Sequence, residues 1–187
     1  MPRWTTIRLP DPPHRPGRTV HPARRAESPV PQVDALAAGW PPAREAARTL
    51  LPDGPPAELD LGGLDPVHAA AIAAGIDLHE GGAWWEAHEA WEIPWRAWPV
   101  GDSRRPLVQA LIIDAATWLA MDGGRVAGVR RLRDRSAKRR AEIDPSAAKF
   151  AGIDHRERER TVDVFVSAWM IGDRSAQVVP PALFPID

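Results

Sequence analysis

The stretch Ala83 to Trp98 reads AWWEAHEAWEIPWRAW, and it sets His88, Glu89 and Glu92 among tryptophans. At about 100° per residue, Trp84, His88, Trp91 and Trp95 fall in one narrow arc of a helix, with Glu92 at its edge. An imidazole and a carboxylate on an apolar face cost free energy unless each finds a partner, so the face is a pocket wall or an internal polar network. Three chemistries fit these residues. His88 and Glu92, one turn apart, could ligate a metal, with Asp114 from another helix as third ligand and Glu89 as the base of a metal-assisted hydrolysis. Alternatively, the tryptophans wall a small-ligand pocket into which His88, Glu89, Glu92 and Asp114 converge. In the structural reading, Glu92 pairs with Arg96 in the favourable i, i+4 order while a buried acid holds His88 and fixes helix register.

Asp114 enters this picture from the segment Pro106 to Met121, PLVQALIIDAATWLAM, which is apolar nearly all round and is expected to form the central helix. On the wheel it shares a side with Leu107, Leu111, Trp118 and Met121, while Gln109 lies elsewhere on the circumference. A lone carboxylate there is too costly to keep, so it is expected to reach His88 or Arg96, His88 first.

The remaining elements follow from spacing and breakers. Asp65-Pro66 is a helix start, Asp as N-cap and Pro at the first helical position, and the helix runs through VHAAAIAAGIDLHE to Gly81-Gly82. Gly75 in its interior predicts a neighbouring helix at close range. The tryptophan-rich helix follows at once, making a first αα-hairpin, with Pro94 expected to kink or end it. Gly123-Gly124 joins the central helix to another over 125–143, a second hairpin with the same kind of turn. The next amphipathic helix spans about 157–171, with Val162, Phe165, Val166, Trp169 and Met170 at core spacing. The apolar, Pro-broken tail after it is expected to lie extended over the bundle.

Of the 21 prolines, 14 precede Val67, so a boundary is expected near Asp65. Residues 1–64 then form a Pro/Arg-rich extension, partly disordered or draped, and 65–187 a helical domain with its core in 65–171. Leu36, Trp40, Ala43, Ala47 and Leu50 predict two short helical pieces within the extension, broken at Pro41-Pro42. Limited proteolysis should trim the first thirty or so residues and leave a stable core.

Charge and composition exclude several functions. The net charge of −1 over 187 residues argues against a globally basic nucleic-acid binder, and the absence of cysteine excludes disulfides and thiolate ligands. No run approaches the roughly 20 apolar residues that span a bilayer, and no secretory leader is legible, so a cytoplasmic protein is expected. Between residues 125 and 140 stand eight basic residues against Asp134 alone. This basic helix is the sole hint of nucleic acid, which is not expected to be the partner, because no aromatics or glycines interleave it as in single-strand binders.

The run GIDLHEGGAWWEAHEAWEIPWR, followed by LVQALIIDAATWLAMDGGRVAGVRRL, resembles the bacterial and archaeal domain of unknown function 309 family and its pattern E-x-H-E-x-x-E-x-x-W-R, followed by a glutamine-bearing helix. Glu86, His88, Glu89, Glu92, Trp95, Arg96 and Gln109 match as they stand. Pro94, Ile113 and Ala120 depart from the pattern, the last two thinning the polar content of the inner surface. The resemblance implies an all-helical, tetratricopeptide-like bundle and supplies no activity. Taken together, the expectation is an all-α bundle of two αα-hairpins plus a C-terminal helix, bearing a Pro-rich N-terminal extension. Its cluster of Glu86, His88, Glu89, Glu92, Trp95, Arg96, Gln109 and Asp114 is structural or binds a small ligand or protein partner. The alternative is a metal-dependent hydrolase using His88, Glu92 and Asp114. No cofactor or membrane is expected, and a homo-oligomer is compatible with the sequence.

Overall fold

The computed structural model describes residues 4–5, 7–11, 13–16, 18–19, 29–38, 59, 61–172 and 178–183. Among them are six α-helices: α1 (Pro29–Ala38), α2 (Pro66–Glu80), α3 (Trp84–Ala97), α4 (Arg104–Asp122), α5 (Val126–Ala141) and α6 (His155–Ile171). A 3-10 turn at Pro145–Ala147 and a two-stranded hairpin, β1 (Lys149–Phe150) with β2 (Ile153–Asp154), link α5 to α6. The protein is an all-α bundle in which α2 packs on α3, α3 on α4, and α4 on α5. The second helical piece expected around residues 43–51 lies outside the described residues, as do 20–28 and 184–187. None of the described helices is long and apolar enough to cross a membrane.

The sequence signals for helix ends operate as expected. Asp65 caps α2, its Oδ1 accepting from the Val67 N–H at 2.9 Å. At its other end the Ala83 N–H donates to the Leu78 carbonyl and the Gly82 N–H to His79, with Gly82 at φ 74°. The α4 end repeats this turn bond for bond: Arg125 donates to Ala120 and Gly124 to Met121, with Gly124 at φ 65°. Both are Schellman closures, which need a left-handed residue that only glycine adopts cheaply. The two hairpins therefore share one turn geometry. Helix α3 carries on past Pro94 for less than a turn, closing where the Trp98 N–H donates to the Pro94 carbonyl at 3.0 Å.

Close approach accounts for Gly75. A Cβ there would lie 2.1 Å from the Trp91 indole nitrogen, which donates to the Ile72 carbonyl at 3.3 Å. Any side chain at position 75 would push the largest core residue of α3 off α2. Helix α4 is the centre of the bundle, with Leu107, Leu111, Ile113, Trp118 and Met121 all buried.

The core also draws on residues before Asp65: Trp4, Ile7, Val33, Leu59 and Leu61 are buried in it. The N-terminal segment is held there by two buried carboxylates. Asp77 of α2 accepts from the Trp4 N–H at 2.8 Å and from the Thr5 N–H and hydroxyl at 2.6 Å each, and Glu86 of α3 accepts from the His14 N–H at 2.8 Å. Arg15 stacks over Trp84 at 4.5 Å and pairs with Asp122 at 3.2 Å, tying the segment to the end of α4. At the other end of the chain, Leu183 donates its N–H to Glu80 at 2.7 Å.

Candidate functional site

Helices α3, α4 and α5 enclose a groove of about 830 Å³. Trp85 and His88 form the α3 wall; Ala116, Leu119 and Ala120 contribute from α4; Val126, Gly128 and Leu132 face them from α5. The small residues are what leave the space. Gly128 and Ala120 add little bulk to the lining, and a Cβ on Gly128 would make only ordinary contact with that of Ala120, at 3.7 Å. Three arginines, Arg125, Arg131 and Arg135, line the α5 side. The groove is an open cleft, not an enclosed cavity.

The imidazole foreseen as the centre of the site stands on its rim. His88 is half-buried, with Nδ1 3.4 Å from a Glu89 carboxylate oxygen and Nε2 3.8 Å from Glu92. Glu92 in turn pairs with exposed Arg96, as the i, i+4 spacing implies. His88, Glu89 and Glu92 can each offer one ligand atom, all within 4.8 Å of one another. Such a set has the donor types of a divalent-cation site. It differs from the expected set in one member: Glu89, assigned the part of base, stands among the donors, and Asp114 does not.

The other expected site residues go elsewhere. Glu86 is buried against the N-terminal segment. Trp95 carries the Arg105 guanidinium over its ring at 4.8 Å, and Gln109 is half-buried on α4. Asp114 has the cationic partner its burial demands, but that partner is neither His88 nor Arg96. Its Oδ2 accepts from Arg140 of α5 at 2.8 Å and from Arg158 of α6 at 3.4 Å, and its Oδ1 from the Ser136 hydroxyl at 3.4 Å. All four residues are buried. Burial alone would raise the Asp114 carboxyl; the two guanidiniums outweigh it and hold the group below the usual carboxylate range. The α4 wheel faces its acid towards α5 and α6, which brought the arginines to it before any residue of α3.

Arg158 extends the network to the C-terminal tail, donating to the carbonyls of Pro181 at 2.8 Å and Ala182 at 3.0 Å. Sequence reasoning missed both arginines, although one signal was there. Val129, Ser136 and Arg140 fall on one buried stripe of α5, which marks Arg140 as the inward member of a basic helix.

Two histidines are shut into the same region. His79 accepts the Trp118 indole N–H on Nε2 at 2.9 Å, so its own proton sits on Nδ1, 3.5 Å from Glu80. Burial lowers its pKa, in keeping with a neutral ring that accepts. His155, 1% exposed and with neither ring nitrogen hydrogen-bonded, is pushed down to about 3, first by burial and then by the charge of Arg140. The unfolded chain protonates these rings near the ordinary histidine value of about 6.5, whereas the native state resists, so protons favour unfolding through that window. Their contribution is full above about pH 6.5 and is lost as pH falls towards 3. Asp114 and Glu80, whose pKa values are lowered, lose theirs only below the ordinary carboxylate range. Urea unfolding should therefore show stability dropping between pH 7 and 5, with His155 alone accounting for about 2 kcal/mol. The variant His155→Leu should flatten that drop; an unchanged pH slope would rule out His155 as its source.

Fold and groove together define a helical domain built of stacked hairpins with a solvent-open cleft between them. Residues 72–132, 61 of the 187 in the chain, match the family model described as Domain of unknown function (DUF309). The match runs from Ile72 in the second turn of α2 to Leu132 of α5, and so covers α3, α4 and the first half of α5. No curated protein and no solved structure matches the chain.

Proposed function

We propose that the protein is a binding module and that the groove between α3, α4 and α5 is its recognition surface. The observation that carries this reading is the lining: an apolar floor of small and branched residues between an aromatic wall at Trp85 and an arginine wall at Arg131 and Arg135. Such a mixture of apolar surface and a few oriented charges is what ligand sites use for affinity and orientation respectively. The purely structural reading of the His88 cluster is less well supported. A half-buried imidazole and an exposed ion pair contribute little to stability, and the polar network that holds the core together lies at Asp114. The hydrolase alternative is also weakened, since with Glu89 among the donors it lacks the base assigned to it.

An anionic amphiphile tests the groove directly. Anilinonaphthalene sulfonate should bind the native chain saturably, its apolar rings on Leu119 and Leu132 and its sulfonate towards the arginines. Ala116→Trp, which fills the floor, should abolish the fluorescence gain while leaving the melting temperature within a few degrees. Undiminished dye binding to this variant would end the reading.

A further inference from the structure

We infer that the groove receives an acidic amphipathic helix of a partner protein, an inference that rests on the groove being a binding surface. Shape is the first reason. The lining on this side runs from Arg125, just before α5, to Arg135 ten residues further on, and thus along about 15 Å of helix. That length matches about three turns of a second helix laid alongside. An open cleft envelops a small molecule only in part and so holds it weakly, whereas a helix needs one apolar face covered and the other left in water.

Charge is the second reason. On α5, Arg133 pairs with Asp163, Arg139 with Glu142 and Arg140 with Asp114. Arg131 and Arg135, one turn apart and both lining the groove, have no carboxylate partner among the described residues. With exposed Arg130 and Lys138 on the adjoining side, where Asp134 is the one acid, they give that side of the helix a net positive charge. Their i, i+4 spacing matches acidic residues one turn apart on an incoming helix. The opposite rim has a different sign, for Glu89 and Glu92 stand beside His88 there. A bound helix is thereby oriented about its own axis, its acids facing α5 and its apolar stripe on Leu119 and Leu132. Nucleic acid suits the site less well: its phosphates would use the arginines but leave the apolar floor unfilled, and among the described residues Trp85 and His88 are the only rings lining it, too few to stack successive bases.

The test is selection of helical peptides from a display library against the full chain. Enriched peptides should carry Asp or Glu at i and i+4 beside an apolar i, i+3, i+7 stripe. Their affinity should fall about tenfold or more in Arg131→Glu/Arg135→Glu, and should weaken with added salt. Both positions are exposed, so the double variant should melt like the parent. Neutral or basic winners, no enrichment, or equal binding to the double variant would overturn the inference. So would oligothymidylate displacing the selected peptide more tightly than the peptide binds. The dye experiment separates the two levels: if Ala116→Trp still abolishes dye binding, the groove stands and only the acidic helix falls. If dye binding survives that substitution, the groove reading itself fails.

Discussion

Replacing Asp114 by alanine is expected to cost the fold about 3–5 kcal/mol, because it strands two guanidiniums in the interior. Arg140 and Arg158 are both buried, and among the described residues the carboxylate they share is the one ion-paired with either. Desolvating a cation is costly, and the pair attraction is what offsets it; without the anion, the native state has either to bury unpaired charge or to open. The damage would spread, since Arg158 also holds the carbonyls of Pro181 and Ala182. Replacing all three residues with apolar ones of similar size, Asp114→Leu with Arg140→Met and Arg158→Met, should recover much of the loss. The His88→Ala and Glu92→Ala variants should by contrast stay within about 1 kcal/mol of the parent, their groups being partly solvated. Equilibrium urea unfolding decides the matter. A loss below about 1 kcal/mol for Asp114→Ala, or a larger one for His88→Ala, would reverse the assignment of the structural role.

Deleting residues 1–19 is expected to lower stability by about 2–4 kcal/mol, the second large effect. From composition the segment is a trimmable leader, and proteolysis is expected to remove it harmlessly. Its contacts point the other way. Trp4 and Ile7 are 3% and 2% exposed, and each side chain so buried is worth about 1.5–3 kcal/mol before the cost of ordering the segment is subtracted. Removal would also expose the Trp84 and Trp85 rings on which Arg15 and His14 lie. The carboxylates of Asp77 and Glu86 would regain water, which limits the penalty from that source. A truncated chain with an unchanged unfolding midpoint, or rapid cleavage before Trp4 is protected, would show that these contacts carry no net free energy.

These two cases mark where the sequence is legible. Helices α2 to α6 can be read because their signals are local: a capping Asp65, glycine doublets at the two Schellman turns, apolar periodicity in α4, Gly75 under an indole. The pairing of Glu92 with Arg96 lies within one helix and is equally plain. Asp114 was recognised as an acid needing a partner, yet its arginines come from 26 and 44 residues further on. Arg158 sits in the run HRERER, which has the appearance of a solvated charged surface. Pairing between helices depends on how they are rotated against one another, which periodicity does not specify. The anchoring of the N-terminal segment was less visible still, because its donors are main-chain N–H groups that every residue but proline carries. The groove was half legible: His88 and Trp85 lie in the motif, while its cationic wall belongs to a basic helix whose spacing points to no particular partner.

The last turn of α2 receives both ends of the chain, Asp77 holding Trp4 and Thr5 and Glu80 holding Leu183. During synthesis these two anchors mature at opposite times. Trp4 and Thr5 are made first but wait for Asp77, and their docking surface is incomplete until α3 with Glu86 has followed. Leu183 arrives when α2 and α3 have long been available. Closing its 103-residue separation costs only about 0.3 kcal/mol more than the 72-residue one, so loop entropy hardly distinguishes them. Order of arrival does: the front of the chain must stay unattached through many residues of elongation, whereas the back can dock as soon as it is free. The prolines spaced through the leading segment lack N–H donors, which makes that segment a poor strand for mispairing while its tryptophan waits for a core.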